Sequence, residues 1–136
     1  MFLLDTNALS ELRRPERADP RLLAWAADTP ASILFLSAIT LLEIEMGALR
    51  IARRDARQGA VLRTWIDSQV LPTFADRVLP VDTAVALRCA TLHVPDLRSE
   101  RDALIGATAL VHGMTVVTRN QADFIPMGVA LLNPWG

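Results

Sequence analysis

Phe2-Leu3-Leu4-Asp5-Thr6-Asn7 is the part of the chain from which the architecture can be read. Three apolar residues in a row are typical of a short strand buried on both faces of a parallel sheet. The polar residues that follow are types favoured at the start of a helix. The stretch therefore predicts a buried strand that leads directly into a helix.

Similar apolar runs recur along the chain and alternate with helical patterns. This alternation predicts an α/β fold, with a central, mostly parallel sheet of four to five strands flanked by helices. The predicted strands span residues 2–4, 32–36, 78–79, 115–118 and 129–132. The predicted helices span residues 8–13, 20–28, 39–57, 59–70, 83–93 and 101–112.

Length and composition indicate a single domain covering residues 1–136. The chain has the size of one ordinary domain and contains no repeat or linker. Although 51% of its residues are hydrophobic, no apolar stretch approaches the roughly 20 residues that span a membrane. With no secretion signal at its start, we expect a soluble, cytoplasmic protein. The single cysteine, Cys89, excludes a disulfide framework and is expected in the core.

The basic residues exclude several classes of protein, because all 14 of them are arginine. A nucleotide-binding P-loop needs Gly-Lys, so this class is excluded. Receiver domains and most phosphatases of this architecture place a lysine beside the phosphate. Asn7 also breaks the Asp-x-Asp pair of such phosphatases. The net charge of -1 gives no bulk attraction to nucleic acid, but setting four acids aside as metal ligands leaves a charge of +3.

Two acidic residues are placed at one edge of the predicted sheet. Asp5 directly follows the first strand, and Asp123 lies five residues beyond the strand at 115–118. Open parallel sheets bind ligands in the crevice beyond the carboxyl ends of their strands. Helix capping and turn formation are alternative explanations for these two aspartates. The positions of the two acids after their strands predict that they share one crevice.

A further candidate lies in the helical pattern at 39–57, whose first part is apolar almost all round. Such a helix is buried, and an ionised group on it costs several kcal/mol unless it is paired or metal-bound. Glu43 and Glu45 flank its apolar face at similar angles, so periodicity does not choose between them. The alternative is an ion pair within the helix, with Arg50 or a neighbouring arginine.

Asp102 stands at the entrance of an uncharged helical stretch that runs to Val111. Ser99, three residues earlier, resembles a capping box, so capping is again an alternative explanation. The positive end of the helix favours an ionised carboxylate there, which also suits a metal ligand.

Taken together, the four carboxylates predict a metal site. Acids gathered at one strand edge repel one another unless protons or a cation intervene. Magnesium takes oxygen ligands and needs only one or two direct carboxylates, and manganese is an acceptable substitute. Zinc is not expected, because Cys89, His93 and His112 show none of its usual ligand spacings.

The chain resembles the PIN-domain toxins of bacterial toxin-antitoxin pairs, in particular those of the VapC and FitB type. The resemblance extends over essentially the whole chain and depends on the order and spacing of several motifs. They are LLDTN at 3–7, SAIT at 37–40 leading to Glu43 and Gly47, DALI at 102–105, ATA at 107–109, TRN at 118–120, Asp123-Phe124 and NPW at 133–135.

The resemblance implies a three-layer α/β/α fold and a magnesium- or manganese-dependent endoribonuclease. It places the catalytic acids at Asp5, Glu43, Asp102 and Asp123, and so favours Glu43 over Glu45. We expect Asp5 and Asp102 to bind the metal directly, and Glu43 and Asp123 to bind it through water or to hold the attacking water. Supporting polar positions fall on Thr6, Asn7, Thr118 and Asn120.

The same resemblance implies several partners: an RNA substrate, a homodimer, and a small antitoxin, of ribbon-helix-helix or similar type, that binds operator DNA. The expected chemistry is attack on the RNA phosphodiester by a metal-activated water. An alternative is a catalytically silent module that works only by binding its antitoxin.

Two other groups of residues have simpler explanations. Arg50, Arg53, Arg54 and Arg57 recur at helical spacing, which predicts either a solvated face or a phosphate-binding stripe. The three tryptophans are expected in the core or at an interface rather than as base-stacking platforms.

Overall fold

The computed structural model describes residues 1–136 and contains one five-stranded sheet. Its order is β3-β2-β1-β4-β5, and all four neighbouring pairs are parallel. The predicted α/β fold is confirmed, and the sheet is wholly rather than mostly parallel. The strands are β1 (Phe2–Leu4), β2 (Leu34–Ser37), β3 (Val78–Leu79), β4 (Thr115–Val117) and β5 (Leu131–Leu132).

Helices connect successive strands and cover the sheet. The two longest, α3 and α7, follow β2 and precede β4. No helix is long and apolar enough to cross a membrane. The helices are α1 (Thr6–Leu12), α2 (Pro20–Asp28), α3 (Ala38–Arg54), α4 (Ala56–Trp65), α5 (Leu71–Thr73), α6 (Thr83–Leu92), α7 (Glu100–His112) and α8 (Gln121–Phe124).

The hydrophobic core forms two clusters, because successive strand residues point to opposite faces of the sheet. Leu4 belongs to a cluster with residues of α1, α2, α3 and α4, whereas Leu3 packs with residues of α6 and α7. Leu3 and Leu4 are almost completely buried. This burial on both faces explains why β1 is an uninterrupted apolar run.

The cysteine and the tryptophans have the structural roles expected of them. Cys89, Trp65 and Trp135 are buried, and Trp25 packs edge-to-face against Phe2 with ring centroids 5.3 Å apart. Trp25 itself is half-buried.

The predicted helix over 39–57 is wrong at its end. The backbone leaves the helical conformation at Asp55 (φ −151°, ψ 93°), so α3 ends at Arg54. The Asp55 carboxylate then accepts a hydrogen bond from the Gln58 N–H at 3.1 Å and caps α4. Arg57 therefore belongs to α4, and the four arginines do not share a single helix.

Other boundaries differ by a few residues. Ala31–Ile33 forms a 3-10 turn, so β2 begins two residues later than predicted. Beyond Trp65, the chain continues through a wide π turn at Ile66–Val70 into α5. The sequence did not predict α8, because its four residues follow a turn-like stretch.

The order of the strands creates a crevice beside β1. The chain passes from β1 to β2 and β3, and then returns to β4 on the other side of β1. The connection that follows β1 therefore runs towards one edge of the sheet, and the connection that follows β4 runs towards the other edge. Ligands of open α/β sheets bind at such a switch point.

Candidate acidic active site

Asp5 lies at the carboxyl end of β1, inside the crevice, and is only 6% exposed. Its Oδ1 accepts a hydrogen bond from the backbone N–H of Thr6 at 2.8 Å, so Asp5 caps α1 as its local sequence predicted. Its Oδ2 accepts a hydrogen bond from the Thr118 hydroxyl at 2.9 Å. Both carboxylate oxygens are thereby held in place.

Thr118 follows β4 and is completely buried. Its hydroxyl accepts a hydrogen bond from the backbone N–H of Asn120 at 3.0 Å, which leaves its proton for Asp5. Thr118 thus lies beside the acids as expected. The side chains of Asn7 and Asn120 are exposed and have no hydrogen-bond partner within the chain. Their place in the sequence, two residues after Asp5 and Thr118, brings their backbone to the crevice, but neither side chain forms a hydrogen bond with the acids.

The structure separates the two glutamates that periodicity left equivalent. Glu43 turns towards α1, where its Oε1 accepts a hydrogen bond from the Thr6 hydroxyl at 2.8 Å. Glu45 turns towards α4 and forms an ion pair with Arg63, with Nη2 and Oε2 2.6 Å apart. Neither pairs with Arg50, so the intrahelical alternative is wrong. Only Glu43 lies with Asp5.

Asp102 occupies the first turn of α7, and Asp123 the first turn of α8. The side chain of Ser99 makes no capping hydrogen bond, so the predicted capping box is not formed. Asp102 and Asp123 line a shared cavity of about 210 Å³ with Arg98. Asp102 is partly buried and Asp123 is exposed, so they form the outer side of the site.

Electrostatics connect all four acids. Burial raises the pKa of Asp5 above its usual value; hydrogen bonds from Thr118 and Thr6 oppose this rise, and repulsion by Glu43 and Asp123 adds to it. Burial also raises the pKa of Asp102, reinforced by repulsion from the other three acids. The four carboxylates therefore lie within electrostatic range of one another, and a cation between them would relieve their repulsion.

The donor chemistry of the site fits a hard divalent cation. Carboxylate oxygens are the ligands of Mg²⁺ and Mn²⁺. No three acidic, histidine or cysteine side chains converge closely enough to hold an ion together. Magnesium does not require such a cluster, since it keeps several waters and binds through one or two carboxylates.

Sequence reasoning missed two residues of the site. Thr40 is completely buried, and its hydroxyl oxygen lies 3.3 Å from that of Thr6. Its position in SAIT at 37–40 was the only signal. Arg101 places Nη1 3.6 Å from Glu43 Oε2 and is the only basic residue paired with one of the four acids. Nothing in the sequence indicated this contact.

The fold and site define an α/β protein whose parallel sheet carries a carboxylate-lined crevice at its switch point. The model of the PIN domain family matches residues 2–125. The chain belongs to the PIN domain family.

Relatives of this chain are similar over nearly their full length. The chain is 36% identical to Toxin FitB of Neisseria gonorrhoeae, over 99% of each chain. It is 35% identical to VapC ribonuclease Y4jK of Sinorhizobium fredii, over 99% of this chain and 98% of the relative.

Solved structures agree with these similarities. A structure of FitAB bound to an IR36 DNA fragment matches with a TM-score of 0.88 and 36% identity, covering 100% of this chain and 96% of the other. A toxin-antitoxin complex from Klebsiella pneumoniae matches with a TM-score of 0.68 and 28% identity, covering 98% of each chain.

Proposed function

We propose that this protein is a metal-dependent endoribonuclease that acts as the toxin of a toxin-antitoxin pair. The observation that carries the proposal is the gathering of four mutually repelling carboxylates at the switch point of the sheet. Similarity to Toxin FitB and to a VapC ribonuclease supports RNA as the substrate and a toxin as the biological role.

Asp5 and Asp102 would hold Mg²⁺ or Mn²⁺ directly, and Glu43 and Asp123 would hold it through water. When bound, the ion lowers the pKa of a water and stabilises charge developing on phosphate oxygens. Thr118 and the Thr6 N–H hold the Asp5 carboxylate in one orientation.

Glu43 is suited to orient the attacking water. The Thr6 hydroxyl holds one of its oxygens, Oε1, whereas Oε2 makes no hydrogen bond and only the 3.6 Å charge pair with Arg101. Because a water attacks the phosphorus, the 2′-hydroxyl need not be the nucleophile. Preference for RNA would then come from the shape of an unpaired strand.

The proposal is tested by cleavage of single-stranded RNA in Mg²⁺ by wild type, Asp5→Asn and Asp28→Asn. Asp28 is exposed and is the last residue of α2. Because it precedes β2 in the chain, it lies towards the amino ends of the strands, whereas the site lies at their carboxyl ends. We expect Asp5→Asn to lower the rate at least about a hundredfold, since even outer partners of metal ligands contribute 10–100-fold. Asp28→Asn should match wild type.

Two outcomes would contradict the proposal. Equal cleavage by wild type and Asp5→Asn would point to a contaminating nuclease or another site. No cleavage by any of the three proteins in either Mg²⁺ or Mn²⁺ would favour the catalytically silent, partner-binding alternative.

We also propose that the chain forms a homodimer and binds a small antitoxin, of ribbon-helix-helix or similar type, which contacts operator DNA. Similarity to a DNA-bound FitAB structure and to a toxin-antitoxin complex supports this assignment. Co-expression with the product of an adjoining short reading frame should yield a complex that co-purifies and binds the operator. The isolated chain should run as a dimer in sedimentation experiments.

A further inference from the structure

Arg101 lies at the rim of the acidic site, one residue before Asp102 in the first turn of α7. Its guanidinium reaches across to α3, where Nη1 lies 3.6 Å from Glu43 Oε2. This separation exceeds the usual N–H···O distance of about 2.7–3.2 Å, so the contact is a charge pair rather than a hydrogen bond. The Arg101 side chain is 47% exposed and donates no hydrogen bond within the chain.

The other arginines near the site are engaged elsewhere. Arg98 donates a hydrogen bond from Nε to the carbonyl of Leu92 at 3.0 Å. Arg119 stacks over Trp135, with its guanidinium carbon 5.8 Å from the ring centroid. Arg101 is therefore the one guanidinium at the rim that is held by neither a hydrogen bond nor an aromatic ring.

The charge of Arg101 affects both ligands that the site is proposed to bind. It partly neutralises the carboxylates, so it opposes the entry of a divalent cation. It also favours the approach of an anion, and a guanidinium is well matched to phosphate oxygens. The oxygen that it contacts, Glu43 Oε2, is the one that the Thr6 hydroxyl leaves free.

We propose that Arg101 is a positioning residue with two alternative partners. In the metal-free protein it holds Glu43, and once a divalent cation engages the acids it turns outward to a phosphate of the RNA. The inference rests on the proposed function and concerns regulation of the same site. It makes metal binding and substrate binding mutually dependent through a single side chain.

The first experiment measures Mn²⁺ binding to the metal-free full-length chain by calorimetry at low ionic strength. We expect Arg101→Gln to bind Mn²⁺ roughly three- to tenfold more tightly than wild type, because a neighbouring positive charge is removed. Arg101→Lys keeps the charge and should retain the affinity of wild type. Arg54→Gln removes an exposed arginine at the far end of α3, about 25 Å along the helix from its start, and serves as the matched control.

The second experiment measures steady-state cleavage of a single-stranded RNA. We expect Arg101→Gln to need less Mg²⁺ for half-maximal activity but to raise KM for RNA roughly five- to tenfold, as expected for loss of a phosphate contact. Arg101→Lys should largely restore KM. A merely structural role for Arg101 would not shift metal affinity and KM in opposite directions.

The failures can be told apart with Asp5→Asn. If this variant loses Mn²⁺ binding and cleavage but Arg101→Gln behaves as wild type in both experiments, the inference is overturned and the proposed function stands. If wild type binds Mn²⁺ no better than Asp5→Asn does, the inference and the proposed function are both overturned. Tighter Mn²⁺ binding with an unchanged KM would exclude the phosphate contact, and it would therefore also overturn the inference that Arg101 has two partners.

Discussion

Thr6 connects two of the candidate catalytic acids. Its backbone N–H binds Asp5, and its hydroxyl binds Glu43. The residue that begins α1 therefore sets the orientation of both carboxylates at once. Because the bond from the Thr6 N–H favours the ionised form of Asp5, it offsets part of the cost of burying that carboxylate.

Glu43→Gln and Glu45→Gln form a matched pair of substitutions, because they lie two residues apart on α3 and differ in their partners. We expect Glu43→Gln to lower the rate of RNA cleavage about 10–100-fold, since it removes an acid that would bind metal through water. Glu45→Gln should leave cleavage unchanged and alter stability by less than about 1 kcal/mol, because its ion pair with Arg63 is partly exposed.

Initial cleavage rates across a range of Mg²⁺ concentrations, together with urea unfolding, measure both effects. A larger loss of activity in Glu45→Gln than in Glu43→Gln would exclude this assignment.

Gly59 of α4 lies directly against Ala52 of α3. A Cβ added at Gly59 would lie 2.4 Å from Ala52 Cβ and 2.5 Å from Ala52 Cα. At Gly47, which lies on α3, a Cβ would meet no atom within 4 Å apart from the neighbouring residues and backbone of its own helix. Gly59 thus permits close contact between α3 and α4, whereas Gly47 only adds backbone flexibility in the interior of α3.

We expect Gly59→Ala to destabilise the protein by about 1–3 kcal/mol, because backbone must move to relieve the overlap. The gain in helix propensity, at most about 1 kcal/mol, does not compensate. Gly47→Ala should instead stabilise by about 0.5–1 kcal/mol. Chemical denaturation of both variants tests the pair, and equal effects would show that α3 and α4 are not in contact at Gly59.

For the protein as a unit, the acidic site links folding to pH and to metal. The pKa of Asp102 in the folded state is raised above its usual value of 3.8, so the folded chain holds more protons than the unfolded chain just above that pH. Stability therefore falls as pH increases through the interval between the two pKa values. The ionised acids destabilise the metal-free fold at neutral pH.

We accordingly expect metal-free Asp102→Asn to be more stable than wild type near pH 7, and this advantage to disappear as the pH falls below about 4. Adding Mg²⁺ should stabilise wild type by about 2.7 kcal/mol at a concentration a hundred times Kd, and the variant by less. Thermal unfolding with chelator or with Mg²⁺, at both pH values, gives the comparison. If metal-free wild type is more stable than metal-free Asp102→Asn at neutral pH, the expected repulsion among the acids is refuted.

Much of this architecture could be predicted from local patterns. The run at residues 2–4 is apolar throughout because β1 is covered on both faces, and β1 has the bounds that the sequence predicts. The same pattern put Asp5 at the carboxyl end of a parallel strand, where sheets of this type bind ligands. The ends of helices were predicted less accurately. Asp55 alone both ends α3 and caps α4, and the pattern of polar residues continues through it without a break.

Contacts between distant segments could not be obtained in this way. Glu43 and Glu45 have equivalent positions relative to the apolar face of α3, and they differ only because Thr6 approaches one and Arg63 the other. The pairing of Arg101 with Glu43 likewise joins residues 58 positions apart. Periodicity describes one element at a time, whereas an ion pair or hydrogen bond between elements depends on how the helices pack around the sheet.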